Sequence, residues 1–175
     1  MHAAKLYAEG RAAWTSRVGR GVDDSKRVQD RGCRACQRAG MATLHKEIII
    51  AAPADLVWDA VRDAGALHTR LVPGFVTDTQ LDGDVRIVTF GNATTVREPI
   101  LSIDDARRRM AWGAVGGKTT HYNAVLEVIA EGDGARVVWT TDLLPHEAAP
   151  AIAGMQDMAL ATMRKTLETA ARARG

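Results

Sequence analysis

The most constraining feature of the sequence is a series of turn signals between residues 75 and 145, followed by a long segment of helical periodicity. The signals are short runs rich in glycine, aspartate and asparagine: Asp82-Gly83-Asp84, Gly91-Asn92, Asp104-Asp105, Gly116-Gly117 and Gly132-Asp133-Gly134. They delimit six extended segments spaced roughly 8 to 16 residues apart, which favours hairpins over helical crossovers. The chain from Phe75 onward is therefore predicted to form six consecutive antiparallel strands.

One strand and two short helices are predicted ahead of these strands. Residues 44–51 contain three consecutive isoleucines, a β-branched run that is typical of a strand, and Pro53 ends it. Residues 54–61 place their apolar side chains on one helical stripe, and Pro53 stands near the favoured N-terminal position. Residues 66–72 form a second short helical pattern, which Pro73-Gly74 ends.

The last segment, from His146 to Arg172, is predicted to be one long helix. The residues that follow its 3.6-residue apolar period are Ile152, Met155, Ala159, Thr162, Met163 and Thr166. Gln156, Arg164 and Lys165 are expected on other faces. The apolar face of an antiparallel sheet must be covered, and only this helix is long enough. We expect an α+β fold in which a curved seven-stranded sheet wraps around the helix, with a ligand cavity between them.

Two segments resemble a known superfamily. Ile50-Ala51-Ala52-Pro53-Ala54-Asp55-Leu56-Val57-Trp58 is similar to its entry into the first helix, and Gly83-Asp84-Val85-Arg86 with Thr94-Thr95-Val96-Arg97-Glu98 is similar to its hairpin. The family is the START-like, or SRPBCC, superfamily, specifically its polyketide cyclase/dehydrase-like branch. The resemblance covers about residues 44–169. It implies the helix-grip fold and places Glu98 at the cavity wall, but it implies fold far better than reaction, because members include carriers as well as aromatase/cyclases.

The predicted hairpin around Asn92 brings a charged pair to the inner face of the sheet. If the chain turns at Asn92, Arg86 stands opposite Glu98, with Val88 and Phe90 on the same face. A buried ion pair is costly unless it is well satisfied, and perturbed charged groups cluster at functional sites. Two interpretations of the pair remain open, a functional role and a structural bridge at the cavity edge.

Further candidates lie on the later strands, on the long helix and near the predicted cavity mouth. Strand alternation directs Tyr122 inward, where its phenol could bind a ligand carbonyl or satisfy a backbone group. His68 and Arg70 in the second helix are expected near the mouth or on the surface. The predicted ligand-binding residues are Arg86, Val88, Phe90, Glu98, Trp112, Tyr122, Leu126, Trp139, Met155, Met158, Ala159 and Thr162. The candidate catalytic residues are Glu98, Tyr122 and His68.

These residues support two hypotheses about function. The first is a binding module, a carrier or sensor that holds a small hydrophobic or aromatic molecule of lipid or polyketide-like character. The second is a cyclase or dehydratase in which Glu98 or His68 moves a proton and Tyr122 or Arg86 stabilises an enolate oxygen. No cofactor and no metal are predicted, since His121 and His146 have no companions at ligand spacing.

The first forty residues differ from the rest in charge and pattern. They carry nine Lys/Arg against four Asp/Glu and little periodicity, so residues 1–40 are predicted to be a disordered leader before a domain at 41–175. Met41 could be the true start of translation. Cys33-x-x-Cys36 is more simply incidental than a zinc or redox site, and no nucleic-acid-binding motif stands beside the leader to favour a nucleic-acid arm. No membrane span is evident, so a cytoplasmic monomer or homodimer is expected.

Overall fold

A seven-stranded antiparallel sheet forms the frame of the protein in the computed structural model, which describes residues 40–174. The strands are β1 (Ala42–Ile50), β2 (Val76–Asp82), β3 (Val85–Phe90), β4 (Thr95–Asp104), β5 (Arg109–Gly113), β6 (His121–Glu131) and β7 (Gly134–Leu144). Their order across the sheet is β1-β7-β6-β5-β4-β3-β2, so the first strand closes the meander at one edge. The predicted strand count and antiparallel order are confirmed. The predictions for the leader, for a start at Met41 and for Cys33-x-x-Cys36 lie outside the described residues.

Two helices and two shorter turns complete the element order. The helices are α1 (Ala54–Arg62) and α2 (Ala149–Arg172), and a 3-10 turn at His146–Ala148 precedes α2. The predicted second short helix is a single π-helical turn at Leu67–Leu71. Its two leucines are buried, so this turn adds apolar side chains to the core between α1 and β2. None of the helices in residues 40–174 is long and apolar enough to cross a membrane.

The inner face of the sheet carries the core because side chains alternate along each strand. On β6, Ala124, Leu126 and Val128 are buried. Asn123 and Glu127, which alternate with them along the strand, are more accessible. On β7, Val137 and Thr141 are fully buried on the corresponding face. Helix α2 lies over this face, as the sequence predicts, and it packs against β1.

The face that α2 presents to the sheet differs from the predicted one. Its buried residues are Gln156, Ala159, Leu160, Met163 and Leu167. The expectation that Gln156 faces away was wrong, since its exposed fraction is only 2%. The buried arc is rotated from the predicted stripe by roughly two thirds of one residue step, which is about 100° in an α-helix, and the two share Ala159 and Met163. The physical reason is a tertiary contact, because the amide of Gln156 donates a hydrogen bond from Nε2 to the buried Thr141 Oγ1 at 2.7 Å.

Helix α1 is fixed to the turn between β4 and β5. Trp58 donates a hydrogen bond from Nε1 to Asp105 Oδ1 at 2.9 Å, and Arg62 pairs with the same carboxylate at 2.9 Å. Arg108 in this turn pairs with Asp55 in the first turn of α1 at 2.6 Å. These bonds hold α1 against the end of the sheet, so that Val61 forms part of the wall described next.

Candidate ligand-binding cavity

A cavity of about 170 Å³ lies between the inner face of the sheet, α2 and the Leu67–Leu71 turn. Most of its wall is apolar. The polar or charged side chains in the wall belong to Arg86, Glu98, Lys118, Thr119, Tyr122 and Gln156. The lining residues Gly116, Gly117 and Lys118 are exposed, so the cavity opens beside the loop between β5 and β6.

The structure brings most of the predicted site residues to this cavity. Those that line it are Arg86, Val88, Phe90, Glu98, Trp112, Tyr122, Leu126, Trp139, Met155 and Ala159. They come from β3, β4, β5, β6, β7 and α2, so the cavity is built from residues far apart in sequence. Their roles in binding remain predictions, while their convergence on one space is a property of the fold.

Four predicted residues are not part of the cavity wall. Met158 is 57% exposed, since it lies on the side of α2 turned away from the buried arc, and Thr162 lies outside the lining residues. His68 and Arg70 also lie outside, because the π-helical turn directs Leu67 and Leu71 inward instead. Arg70 forms ion pairs with Asp59 and Asp63, which accounts for its guanidinium without any ligand.

The pair formed by Arg86 and Glu98 is the most strongly buried charged feature of the cavity wall. The two residues stand directly opposite each other on β3 and β4, as the predicted hairpin register requires. Their side chains are 5% and 11% exposed. Arg86 donates a hydrogen bond from Nε to Glu98 Oε2 at 2.8 Å, and its Nη2 lies 2.6 Å from the same oxygen in the ion pair, while Oε1 receives no hydrogen bond from the described residues. The carboxylate therefore keeps one acceptor oxygen available at the wall.

The aromatic side chains of the wall surround this pair. The guanidinium carbon of Arg86 lies 5.4 Å from the centroid of the Trp112 ring, a distance at which the cation is attracted to the ring face. Trp112 and Trp139 pack with their centroids 5.6 Å apart at an angle of 52°. Phe75 and Phe90 meet edge to face at 5.6 Å. The cavity is thus lined by flat aromatic surfaces as well as aliphatic ones.

Tyr122 contributes the one phenol of the wall. Burial raises its pKa to about 12, and the negative charge of Glu98 adds to the rise, while Thr141 and Arg86 partly oppose it. The phenol therefore stays protonated at neutral pH. It can donate a hydrogen bond to a carbonyl or an enolate oxygen.

Sequence reasoning missed several lining residues. Leu67, Leu71 and Phe75 reach the cavity from the segment between α1 and β2, and Lys118 stands at its opening. Lys118 forms no ion pair within residues 40–174, and nothing in its local sequence separates it from an ordinary loop lysine. Gln156 could have been found from its spacing, because it precedes Leu160, Met163 and Leu167 by four, seven and eleven residues on one helical face.

A curved antiparallel sheet closed over a long C-terminal helix, with a largely apolar cavity between them, defines the class of helix-grip proteins. The family model described as polyketide cyclase / dehydrase and lipid transport matches residues 41–172. The chain therefore belongs to this family, and the family resemblance expected from the sequence is confirmed.

Solved structures share the fold at low sequence identity. The Zhui aromatase/cyclase from a Streptomyces species has a TM-score of 0.63 and 18% identity, covering 77% of this chain and 96% of the other. A norcoclaurine synthase point mutant from Thalictrum flavum has a TM-score of 0.57 and 21% identity, covering 73% and 94%. An uncharacterized protein from Bacillus thuringiensis has a TM-score of 0.66 and 18% identity, covering 72% and 98%. At these identities the likeness establishes the fold.

The chain matches none of the curated proteins with which it was compared.

Proposed function

We propose that this protein binds a small hydrophobic or aromatic molecule in the cavity between its sheet and α2, as a carrier or a sensor. The observation that carries the proposal is the combination of an apolar, aromatic-lined cavity with a buried ion pair in its wall. Ligand pockets typically combine an apolar lining with a few convergent polar groups that fix orientation. The Arg86–Glu98 pair and Tyr122 are those groups.

The size of the cavity narrows the ligand class. An engineered cavity of about 150 Å³ is large enough to bind benzene. At about 170 Å³, this cavity fits a molecule of about one ring. A short polyketide-like or other aromatic molecule is therefore favoured over a long acyl chain, which would have to extend through the opening beside the β5–β6 loop.

Two variants of α2, each with one alanine replaced by phenylalanine, test the proposal. Ala159 is buried in the cavity wall, whereas Ala161, two residues further along the same helix, is exposed. We expect the native protein and the Ala161→Phe variant to bind toluene, measured by NMR titration, and the Ala159→Phe variant to bind it much more weakly. Toluene binding that Ala159→Phe leaves unchanged, or no binding to the native protein, would refute the proposal.

One observation favours catalysis as a second candidate function. Glu98 has a free oxygen, Oε1, in a wall that also holds the protonated phenol of Tyr122. In this version Glu98 removes a proton from a carbon next to a carbonyl group, and Tyr122 hydrogen-bonds to the enolate oxygen that forms. This is the acid–base chemistry that a cyclase or dehydratase of polyketide-like substrates requires. His68 has no part in it, since it lies outside the cavity wall.

Hydrogen exchange in a ring-sized ketone separates a carrier from an enzyme. Under the enzyme version, the methylene protons of phenylacetone exchange with D2O faster in the presence of the protein, as followed by NMR. Glu98→Gln should abolish this acceleration, and Tyr122→Phe should reduce it. A pure carrier binds phenylacetone without accelerating exchange, and the two substitutions then change its affinity alone.

A further inference from the structure

Gln156 is a buried amide with an incomplete set of hydrogen bonds. Its exposed fraction is 2%, and it belongs both to the face of α2 that covers the sheet and to the wall of the cavity. Its Nε2 donates to Thr141 Oγ1 at 2.7 Å, whereas its Oε1 is buried without a partner among the described residues. The large majority of buried polar side-chain atoms in proteins have a partner, so this orphaned oxygen requires an explanation.

Rotating the terminal amide of Gln156 by half a turn does not give both of its polar atoms a hydrogen-bond partner. A half turn of the terminal amide exchanges its oxygen and nitrogen, and the Thr141 hydroxyl can then donate to the oxygen instead of accepting from the nitrogen. The nitrogen is then the atom without a partner. In either orientation, one amide atom needs a group that the surrounding apolar side chains of Met155, Ala159 and Met163 do not offer.

The position of Thr141 places this unsatisfied atom beside the polar corner of the sheet. Thr141 pairs with Ala124 across β6 and β7, so it stands diagonally from Tyr122 on the same face. The pKa of Tyr122 responds both to Thr141 and to Glu98, which are its neighbours. Gln156 on α2 and Tyr122 on β6 thus approach one corner of the cavity from opposite sides, while most of the remaining wall is apolar.

We propose that Gln156 is a specificity-determining residue that recognises a hydroxyl group on a ring-sized, otherwise apolar ligand. A hydroxyl both donates and accepts, so it satisfies the free amide atom in either orientation. The ligand class is therefore a phenol or a similar hydroxylated ring, with its oxygen at the corner formed by Gln156, Thr141 and Tyr122. This inference rests on the proposed function, because it assumes that the cavity is occupied.

Phenol and toluene form a matched pair of probes, since they have the same shape and number of non-hydrogen atoms and differ by a hydroxyl in place of a methyl group. Gln156→Met keeps the approximate shape of the side chain and removes the amide. We expect this variant to bind phenol about tenfold more weakly than the native protein, while its affinity for toluene is unchanged or increased. Isothermal titration calorimetry or NMR titration gives both affinities.

Two further variants complete the experiment. Met158→Leu, on the exposed side of α2, should leave both affinities unchanged, and Gln156→Glu should retain part of the preference for phenol because it keeps hydrogen-bonding oxygens. Retained toluene binding shows that Gln156→Met is folded. If Gln156→Met does not fold, Gln156→Leu replaces it in the same comparison. If both probes bind the native protein and Gln156→Met weakens them equally or not at all, the inference is overturned and the proposed function stands. If neither probe binds the native protein, both are overturned.

Discussion

At the scale of single residues, the Arg86–Glu98 pair shows how a costly feature is kept in an apolar wall. Removing two charges from water is unfavourable, and their attraction offsets this only when geometry and additional contacts are good. Here Arg86 donates one hydrogen bond to Glu98 Oε2, has Nη2 at 2.6 Å from the same oxygen, and also lies near the ring of Trp112. The pair is therefore held through Nε and Nη2 of Arg86, while Oε1 of Glu98 keeps acceptor capacity.

The buried pair should respond asymmetrically to substitution. Glu98→Gln leaves the Arg86 charge buried without a counter-ion, and we expect the free energy of unfolding to fall by about 3 kcal/mol. Replacing both residues, as Arg86→Met with Glu98→Leu, should recover most of that loss. Urea unfolding of the three proteins gives the comparison.

An exposed ion pair between β2 and β4, the strands on either side of β3, is the matched control. Arg97 pairs with Asp82 at 2.9 Å, but their side chains are 50% and 67% exposed. Asp82→Asn should leave the free energy of unfolding unchanged within error, because exposed pairs contribute little. A double variant as unstable as Glu98→Gln would contradict the account of the buried pair.

Tyr122 gives the protein a specific dependence on alkaline pH. Its pKa is raised to about 12 in the folded state, above the ordinary value of 10, so the unfolded chain loses this proton first as the pH rises. Its contribution to stability is complete below pH 10 and is lost as the pH rises towards 12. Between pH 9 and pH 11 the native protein should lose about 1 kcal/mol more stability than Tyr122→Phe, as measured by urea unfolding. Equal losses in the two proteins would argue that the phenol is not buried.

At the scale of elements, two glycines have opposite roles. Gly134 begins β7 where a Cβ atom would stand 2.7 Å from the carbonyl oxygen of Ile50, so glycine permits the close approach of β1 and β7. Gly154 is exposed within α2, and a Cβ there would meet nothing within 4 Å. The first position needs glycine, whereas the second carries a residue that weakens a helix.

Alanine at these two positions should therefore change stability in opposite directions. Gly154→Ala should raise the free energy of unfolding by about 0.5 to 1 kcal/mol, because alanine favours the helix and restricts the unfolded chain. Gly134→Ala should lower it by about 1 to 3 kcal/mol, because the new methyl group displaces the β1 backbone. Thermal or urea unfolding of both variants gives the sign of each change in the free energy of unfolding. A stabilising Gly134→Ala would contradict the close approach of β1 and β7 at this position.

Strands could be predicted from the sequence more completely than helix faces. The turn at Asn92 was enough to pair Arg86 with Glu98, because strand register is fixed by turn position and by alternation. The face of α2 was less certain, because the spacing of Gln156 with Leu160 and Leu167 competes with a second apolar stripe, and a polar side chain is kept in the core there by Thr141, fifteen residues away on another element. For the same reason, Leu67 and Phe75 became wall residues only when α1 and β2 were placed in three dimensions.

At the scale of the whole molecule, the fold separates structural support from recognition. The strands β1, β7 and β6 with the C-terminal part of α2 form a packed core around fully or nearly fully buried residues such as Val137 and Leu167. The cavity lies beside this core, and its wall also includes side chains of β3, β4 and β5, of the Leu67–Leu71 turn and of the β5–β6 loop. We propose that a ring-sized molecule at this place completes the apolar packing between the sheet and the helix.

A crystal of the full chain grown with 4-bromophenol tests that claim most directly, because the anomalous signal of bromine locates the ligand independently of any assumed pose. We expect a single strong bromine position inside the cavity, bounded by Trp112, Trp139 and Ala159, with the hydroxyl turned towards Gln156. Bromine positions found only on the protein surface, or an empty cavity at saturating 4-bromophenol, would contradict it.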